Sequence, residues 1–252
     1  MSDRFSGKKV FVTGGARGIG MATARALHDE GATVVVGART KRSVDAFLNQ
    51  YGDERFTGVA GDLSCRENCH QVVDQALQNL GGLDILVNSA GVFEDVAFES
   101  VTQTHWNETL GVNLAGVFFC CQAAMPSLVE SCGNIVNVAS DAGLIAYTPA
   151  PTYGASKAGV VNLTKTLAYE YAKTVRVNCV CPGNVETDML IQSADSTPDP
   201  QRYLAAARAR APLARMAMPA EIAEAILYFA SDKAGFTTGV ALPMDGGGML
   251  SY

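Results

Sequence analysis

Tyr153 and Lys157 stand four residues apart in Tyr153-Gly-Ala-Ser-Lys157. On a helix, side chains at that spacing share a face. An ammonium can therefore sit beside a phenol, or beside a group that links the two. A free phenol ionises at a pH of about 10, and a nearby cation lowers that value. Acid–base catalysis is most efficient when the pKa approaches the working pH. The pair alone is a common coincidence, so its neighbours decide what it means. Ser140 closes an apolar strand at 134–138, thirteen positions before Tyr153. Its hydroxyl could hold a substrate oxygen beside the phenol, or cap a turn. Asn113, in Gly111-Val112-Asn113-Leu114-Ala115-Gly116, is a polar residue interrupting a long helical stretch.

A second group of residues has the chemistry of phosphate binding. Thr13-Gly14-Gly15-Ala16-Arg17-Gly18-Ile19-Gly20 follows an apolar strand and opens a helix. Glycines let the backbone turn tightly and approach a pyrophosphate, and a helix N-terminus offers free N–H groups. The spacing is G-x-x-x-G-x-G, not G-x-G-x-x-G, and the bland reading is an ordinary tight turn. Gly14, Arg17, Gly18, Ile19 and Gly20 are the candidate contacts. The second strand ends in Val36-Gly37-Ala38-Arg39-Thr40-Lys41-Arg42. There is no carboxylate here for ribose hydroxyls, whereas an arginine can pair with a 2′-phosphate. Arg39 and Thr40, with Arg17, therefore point to NADP(H) over NAD(H), unless Arg39, Lys41 and Arg42 form a solvated loop. Asp62-Leu63 after the third strand offers a carboxylate for an adenine amino group or for a helix cap. Asn88, Ala90 and Gly91 follow the fourth strand, where small residues permit close approach and Asn88 can brace backbone. A plain turn is the alternative.

These residues need elements to position them. Strands read at 9–13, 33–37, 56–60, 83–87, 134–138, 175–180 and 240–244. Helical patterns read at 18–30, 66–80, 104–130, 152–173 and 219–231. The strands are short and almost wholly apolar, as strands buried on both faces are. Strands alternating with helices give a doubly wound, parallel α/β sheet in a single domain. Gln192–Arg210, with SADSTPDP, reads as an irregular loop, and 186–210 as a lid able to close over a ligand.

Composition limits the partners. Of 252 residues, 48% are apolar and 17% charged, enough for one well-buried core. The net charge of −6 argues against nucleic acid, which needs a basic surface. No run of about 18 apolar residues is read here to span a bilayer. The N-terminus MSDRFSGKK carries no apolar signal region, and the expectation is a cytoplasmic protein. Seven scattered cysteines, an odd number, read as reduced core thiols, not disulfides. Cys179-Val-Cys181 lacks a second pair to complete a zinc site, so no metal is expected.

Taken in order, the motifs TGGARGIG at 13–20, Asp62, NSAG at 88–91, Asn113, Ser140, YGASK at 153–157, PGNVET at 182–187 and MDGGG at 244–248 resemble the short-chain dehydrogenase/reductase family over essentially the whole chain. The resemblance implies a Rossmann-type fold of about seven parallel strands flanked by helices. It implies a catalytic tetrad of Asn113, Ser140, Tyr153 and Lys157. In it Tyr153 passes the proton and Ser140 orients the substrate oxygen. Lys157 holds the ribose and lowers the phenol pKa, and Asn113 supports a water that relays protons. Pro182, Gly183, Val185 and Thr187 would hold the nicotinamide amide. Ala38 followed by Arg39 is similar to the family's NADP(H) pattern. Ser89 replaces a common Asn, Ala139 a common Ser and Ala217 a common Gly; none touches the tetrad.

The expected reaction is hydride transfer between NADP(H) and a small-molecule ketone, aldehyde or alcohol. The alternatives are an NAD-dependent alcohol dehydrogenase and a non-catalytic dinucleotide-binding sensor or scaffold. Ser140, Ala142, Tyr147, Tyr153, Asn184, Met189 and Leu190 are the substrate-pocket candidates, and their mostly apolar character favours a neutral, moderately hydrophobic compound. Arg208, Arg210 and Arg215 could bind an acidic substrate or form a solvated helix face. Relatives in this family usually form homotetramers through two long helices and the final strand, here 104–130, 152–173 and 240–244. The apolar segment at 117–125 fits such an interface or a core.

Overall fold

A computed structural model describes residues 3–251. Its centre is a seven-stranded sheet in which every pairing is parallel. The strands are β1 (Lys9–Thr13), β2 (Thr33–Ala38), β3 (Phe56–Ala60), β4 (Ile85–Asn88), β5 (Asn134–Val138), β6 (Arg176–Pro182) and β7 (Ala241–Met244). They lie in the order β3-β2-β1-β4-β5-β6-β7. Side chains alternate across a strand, so the valine-rich runs feed two cores. Phe11, Val35, Leu86 and Ile135 point to one face, and Val10, Val12, Val34, Val36, Ile85 and Val87 to the other. Burial on both faces explains why these strands show no polar alternation.

Helices cover both faces. On the first lie α3 (Arg66–Leu80), α5 (Gly116–Ser131) and α6 (Pro151–Glu170); on the second lie α1 (Gly18–Asp29), α2 (Lys41–Tyr51) and α9 (Pro219–Ala230). Ahead of α5 runs α4 (Gln103–Leu110), joined to it by a π turn at Gly111–Ala115. The expected single helix at 104–130 is thus one continuous stretch with a local change of hydrogen-bond register at Asn113. Within that stretch, Gln103–Ser131, an 18-residue window has a mean hydropathy of 1.6, long and apolar enough to cross a bilayer. The sequence reading passes over it because polar residues are interspersed. In the structure Val117, Cys120, Cys121, Ala124, Met125 and Leu128 pack into the core, and Phe118 faces outward.

Two helical segments depart from the sequence reading. The first is α2, which has few apolar residues but buries Val44 and Phe47 and starts at a Thr40 cap accepting from Ser43 N–H at 3.2 Å. The second is the segment read as an irregular loop. It forms α7 (Asp188–Asp195) and α8 (Pro200–Ala209). Thr187 caps α7, and Asp199 caps α8 by accepting from Arg202 N–H at 3.0 Å, with Pro200 in the first turn. Side-chain oxygens at these positions satisfy otherwise unpaired N–H groups. Of the residues that suggested a loop, Asp199 and Pro200 start a helix, Ser193 and Asp195 end one, and only residues 196–198 lie between the two.

The strand order reverses between β1 and β4, both of which continue into loops at the same edge. A doubly wound sheet opens a crevice outside the carboxyl ends of its strands at such a point.

Candidate active site

A cleft of about 970 Å³ occupies that crevice. One end is built by the turn between β1 and α1. Gly14 has φ +64, and a Cβ there would lie 2.7 Å from the Ala90 Cα. Only a residue without a side chain lets this turn pack against the loop after β4. Thr13 Oγ1 ties the two together by accepting from the N–H groups of Ser89 and Ala90 at 3.1 and 3.2 Å. The first turn of α1 contains no acid, and its N-cap Arg17 makes no side-chain cap. The helix N-terminus thus retains free donors and a partial positive charge facing the cleft. Gly14, Arg17, Gly18 and Ile19 line the cleft, whereas Gly20 is buried in the helix–strand packing behind it.

Ala38, Arg39 and Thr40 line the cleft beyond this turn. Lys41 pairs instead with Asp45 on α2 at 2.7 Å. Asp62 and Leu63 also face the cleft, and Asp62 Oδ1 accepts from Ser64 N–H at 2.9 Å. Asp62 therefore fixes its own turn while presenting its carboxylate to the opening. Ala90 and Gly91 line the wall. Asn88 does not: it is buried, donating to Asn137 Oδ1 at 2.9 Å, and Asn137 donates in turn to Thr164 Oγ1 at 2.9 Å. This amide chain ties β4 and β5 to α6, the helix that carries Tyr153 and Lys157. Asn137 had a sequence signal, a polar residue set between valines inside a buried strand.

The other end gathers Ser140, Tyr153 and Lys157 on one wall. Ser140 caps a short turn after β5, at Asp141–Gly143. A Cβ on Gly143 would fall 2.6 Å from the Lys157 backbone carbon, so a glycine is what lets this turn seat against α6. Lys157 Nζ donates to the Val138 carbonyl at 2.9 Å and lies 5.6 Å from the Tyr153 ring centre. Burial lowers the Lys157 pKa to about 8. Burial also raises the phenol of Tyr153 well above its usual range, with the nearby Ser140 hydroxyl opposing the shift. The expected lowering by Lys157 is therefore absent from the protein on its own: desolvation is the largest influence on both groups and disfavours charge on each.

Asn113 is buried on the π turn. Its Oδ1 accepts from Val92 N–H at 2.8 Å, and its Nδ2 donates to the Val92 carbonyl at 2.9 Å and to Ser156 Oγ at 3.3 Å. Its side chain clamps the loop after β4 to α6 and does not reach the cleft. Pro182, Gly183, Val185 and Thr187 form the opposite wall, Thr187 within 3.4 Å of where a Gly18 Cβ would stand. Tyr147, Asn184, Met189 and Leu190 line the same space, whereas Ala142 is buried in the Ser140 turn and does not. Phe93, which the sequence reading passed over, stands edge-on to both Tyr153 (ring centres 4.9 Å) and Tyr147 (6.2 Å). Arg215 pairs with Glu221 at the surface, but Arg210 is not on a solvated face: it reaches inward to Asp141 and Tyr147. Nothing local in the sequence marks that contact.

The cleft fits a dinucleotide. It joins an open helix N-terminus, a glycine turn and a wall of small residues to a buried lysine with hydrogen atoms to spare. Comparison with known proteins agrees. Residues 14–248 match a family model described as enoyl-(acyl carrier protein) reductase. The chain is 36% identical to the 3-oxoacyl-[acyl-carrier-protein] reductase FabG of Thermotoga maritima, over 97% of this chain and 98% of that one. It is 38% identical to the L-fucose dehydrogenase of Mus musculus, over 99% and 91%. The structure of ligand-free Thermoplasma acidophilum aldohexose dehydrogenase superposes with a TM-score of 0.89 at 29% identity, covering 99% of this chain and 97% of that one. The chain belongs to the short-chain dehydrogenase/reductase family. It is an oxidoreductase of the class that interconverts small-molecule alcohols and carbonyls with NAD(P)(H).

Proposed function

We propose that this enzyme uses NADP(H) to interconvert a ketone or aldehyde and the corresponding alcohol, with Tyr153 as the proton donor and acceptor. The observation that carries the reading is the convergence of Tyr153, Ser140 and Lys157 on the wall of a cleft whose far end presents Arg17 and Arg39 and no carboxylate at Ala38. Bound nicotinamide supplies or takes the hydride. In the reductive direction Ser140 holds the substrate oxygen and the neutral phenol of Tyr153 donates its proton to it. Desolvation keeps that proton on the phenol until a partner arrives. Lys157 has three N–H donors, one of them committed to the Val138 carbonyl. The other two are available to ribose hydroxyls. Asn113 and the Asn88–Asn137–Thr164 chain hold these groups in register.

Substrate selection rests on Phe93, Tyr147, Met189 and Leu190, which suit a neutral, moderately hydrophobic carbonyl compound. The acyl-carrier-protein reductase relative supports the reductive reading. The L-fucose dehydrogenase relative supports a second one, oxidation of a sugar alcohol or lactol carbon at the same site. The same proposal makes the enzyme a cytoplasmic homotetramer. Five of its seven free thiols are buried. Trp106, Phe118 and Tyr169 leave apolar surface on α4, α5 and α6 for a second copy, and light scattering on a sizing column reads the assembly directly.

The test is a cofactor-oxidation screen with NADPH over ethyl acetoacetate, 2,3-butanedione, menadione and a 3-ketosteroid, together with NADP+ and L-fucose. Tyr153→Phe should lower kcat by about 10²–10⁴-fold, the range for a positioned acid–base group, with the dissociation constant for NADPH little changed. Near-wild-type turnover by the variant would overturn the mechanism. NADPH binding with no turnover across the screen would favour a non-catalytic dinucleotide sensor.

A further inference from the structure

Asp141 and Arg210 have no part in the chemistry described so far, yet they touch it. Asp141 follows Ser140 and is almost wholly buried. Its Oδ1 accepts from the Ser140 hydroxyl at 3.0 Å and from Ala142 N–H at 2.7 Å. Its Oδ2 faces the guanidinium of Arg210 at 3.5 Å. Arg210 caps the C-terminal end of α8, and its guanidinium lies over the Tyr147 ring, 4.3 Å from the centre. The same helix is fastened at two further points. Asn184 Nδ2 donates to the Ala207 carbonyl at 2.9 Å, and the Tyr203 hydroxyl donates to Asp95 at 2.7 Å.

We propose that Arg210 is a positioning residue: standing at the C-terminal end of α8, it holds Asp141 charged and in place, and Asp141 holds the turn that carries Ser140 through Ala142 N–H, keeping the Ser140 proton until the hydroxyl turns to the substrate oxygen. The inference rests on the reading of Ser140 given above. A carboxylate buried without a cation takes up a proton or leaves its site. Burial does push the Asp141 pKa up, and Arg210 opposes that shift. Asp245, beyond β7, adds a negative charge that pushes in the same direction as burial. Tyr147, in the loop after the Ser140 turn, and Tyr153, on α6, face Asp141 as neutral phenols, both with raised pKa. Arg210 is the cation set against this group. Lifting α8 therefore removes the charge that holds the catalytic turn. The seating of α8 and the placing of the Ser140 turn are thereby one event.

The test uses the full-length enzyme with NADPH and the carbonyl compound of the screen giving the highest kcat/KM. The variants are Arg210→Met, Arg210→Lys, Asp141→Asn, the double Arg210→Met/Asp141→Asn, and Ser140→Ala. Loss of Arg210 raises the Asp141 pKa, so an acid limb moves upward in pH. Arg210→Met should lower kcat relative to wild type at least twofold more at pH 6 than at pH 9, because the limb it moves lies on the acid side. Its NADPH dissociation constant should stay within twofold. Arg210→Lys should restore most of kcat at pH 7, because an ammonium supplies the charge. Asp141→Asn should remove the limb, and adding Arg210→Met to it should change kcat by less than twofold. The inference is overturned if Arg210→Met loses the same factor at every pH, or if the two single effects multiply. Ser140→Ala separates the two levels of argument. If it is inactive while Arg210→Met shows no pH-dependent loss, the positioning role alone fails. If it keeps near-wild-type activity, the role of Ser140 fails and the positioning role with it. Melting curves of Arg210→Met and Arg210→Lys check that both remain folded.

Discussion

Replacing Arg39 by alanine should separate the two nicotinamide cofactors. Arg39 and Arg17 line the phosphate end of the cleft, and both are exposed, so a 2′-phosphate against them is partly screened by water. A pair of unit charges about 4 Å apart is worth about 1 kcal/mol in bulk water and about 4 kcal/mol at a protein surface. A hydrogen bond to a charged group nets about 1.5–3 kcal/mol. Exposure places Arg39 at the low end, about 1.5 kcal/mol, or roughly tenfold. Arg39→Ala should therefore lower kcat/KM for NADPH about tenfold and leave NADH within twofold. Arg17→Ala/Arg39→Ala should lose more than either single variant but less than their product, since both guanidiniums share one phosphate. Ionic strength gives an independent readout. The screening length shrinks from about 30 Å at 0.01 M salt to about 3 Å at 1 M, so the wild-type preference for NADPH should fall with salt, and that of Arg39→Ala should fall less. Initial rates with both cofactors, at saturating substrate and two salt concentrations, supply the numbers. A cofactor ratio that moves less than twofold on removing Arg39 would refute the assignment.

Three further outcomes follow from the geometry. Lys157 has a folded pKa of about 8, below that of an unfolded lysine. The folded state therefore binds fewer protons between about pH 8 and 10.4, stability rises with pH through that window, and below it the buried ammonium is a net cost. Lys157→Met should abolish turnover and raise the Tm at pH 7 by roughly 2–8 °C, about 1–2 kcal/mol after losing the Val138 hydrogen bond, with the gain shrinking as pH rises from 8 to 10. Asn137→Ala breaks the chain joining Asn88 to Thr164 and leaves buried polar groups unpaired. It should cost about 2–4 kcal/mol, seen as a lower urea midpoint, and should reduce kcat more than cofactor affinity. Tyr203→Phe removes the hydrogen bond to Asp95, so amide hydrogen exchange across 200–209 should quicken about tenfold while β1, β4 and β5 stay protected.

The strands were legible in the sequence because a parallel strand covered on both faces has nowhere to place a polar side chain. Runs such as VFV and TVVVG carry that signature. The first helix after β2 was not legible. Ser43, Asp45, Asn49 and Gln50 dilute its apolar face to Val44, Phe47 and Leu48, and the Thr40 cap that starts it reads equally as a turn. Helices α7 and α8 were hidden for the opposite reason: their caps and prolines dominate the local composition. At the site, the four-residue spacing put Tyr153 and Lys157 on one wall of the cleft, and the strand end brought Ser140 to them. Spacing suggested that Lys157 lowers the phenol pKa but carried no information on desolvation, which dominates in the protein by itself. Contacts between distant residues left no local trace. Asp141 and Arg210 meet across 69 positions, and Asn88 meets Asn137 across 49.

The strand order also sets a timetable. β1 is an interior strand, third from the β3 edge and flanked by β2 and β4. As the chain is made, β1, β2 and β3 can pair once residue 60 is free, closing short loops. β4 reaches the open edge of β1 about 25 residues later, and β5, β6 and β7 then add outward one at a time. The half of the cleft built by the turn between β1 and α1 is thus in place well before Tyr153 has been translated. The wall formed by 182–187 and helix α8 are added near the end. Until β7 joins, the edge of β6 stands open, and a nascent or truncated chain ending before residue 240 presents an unpaired apolar strand to its neighbours.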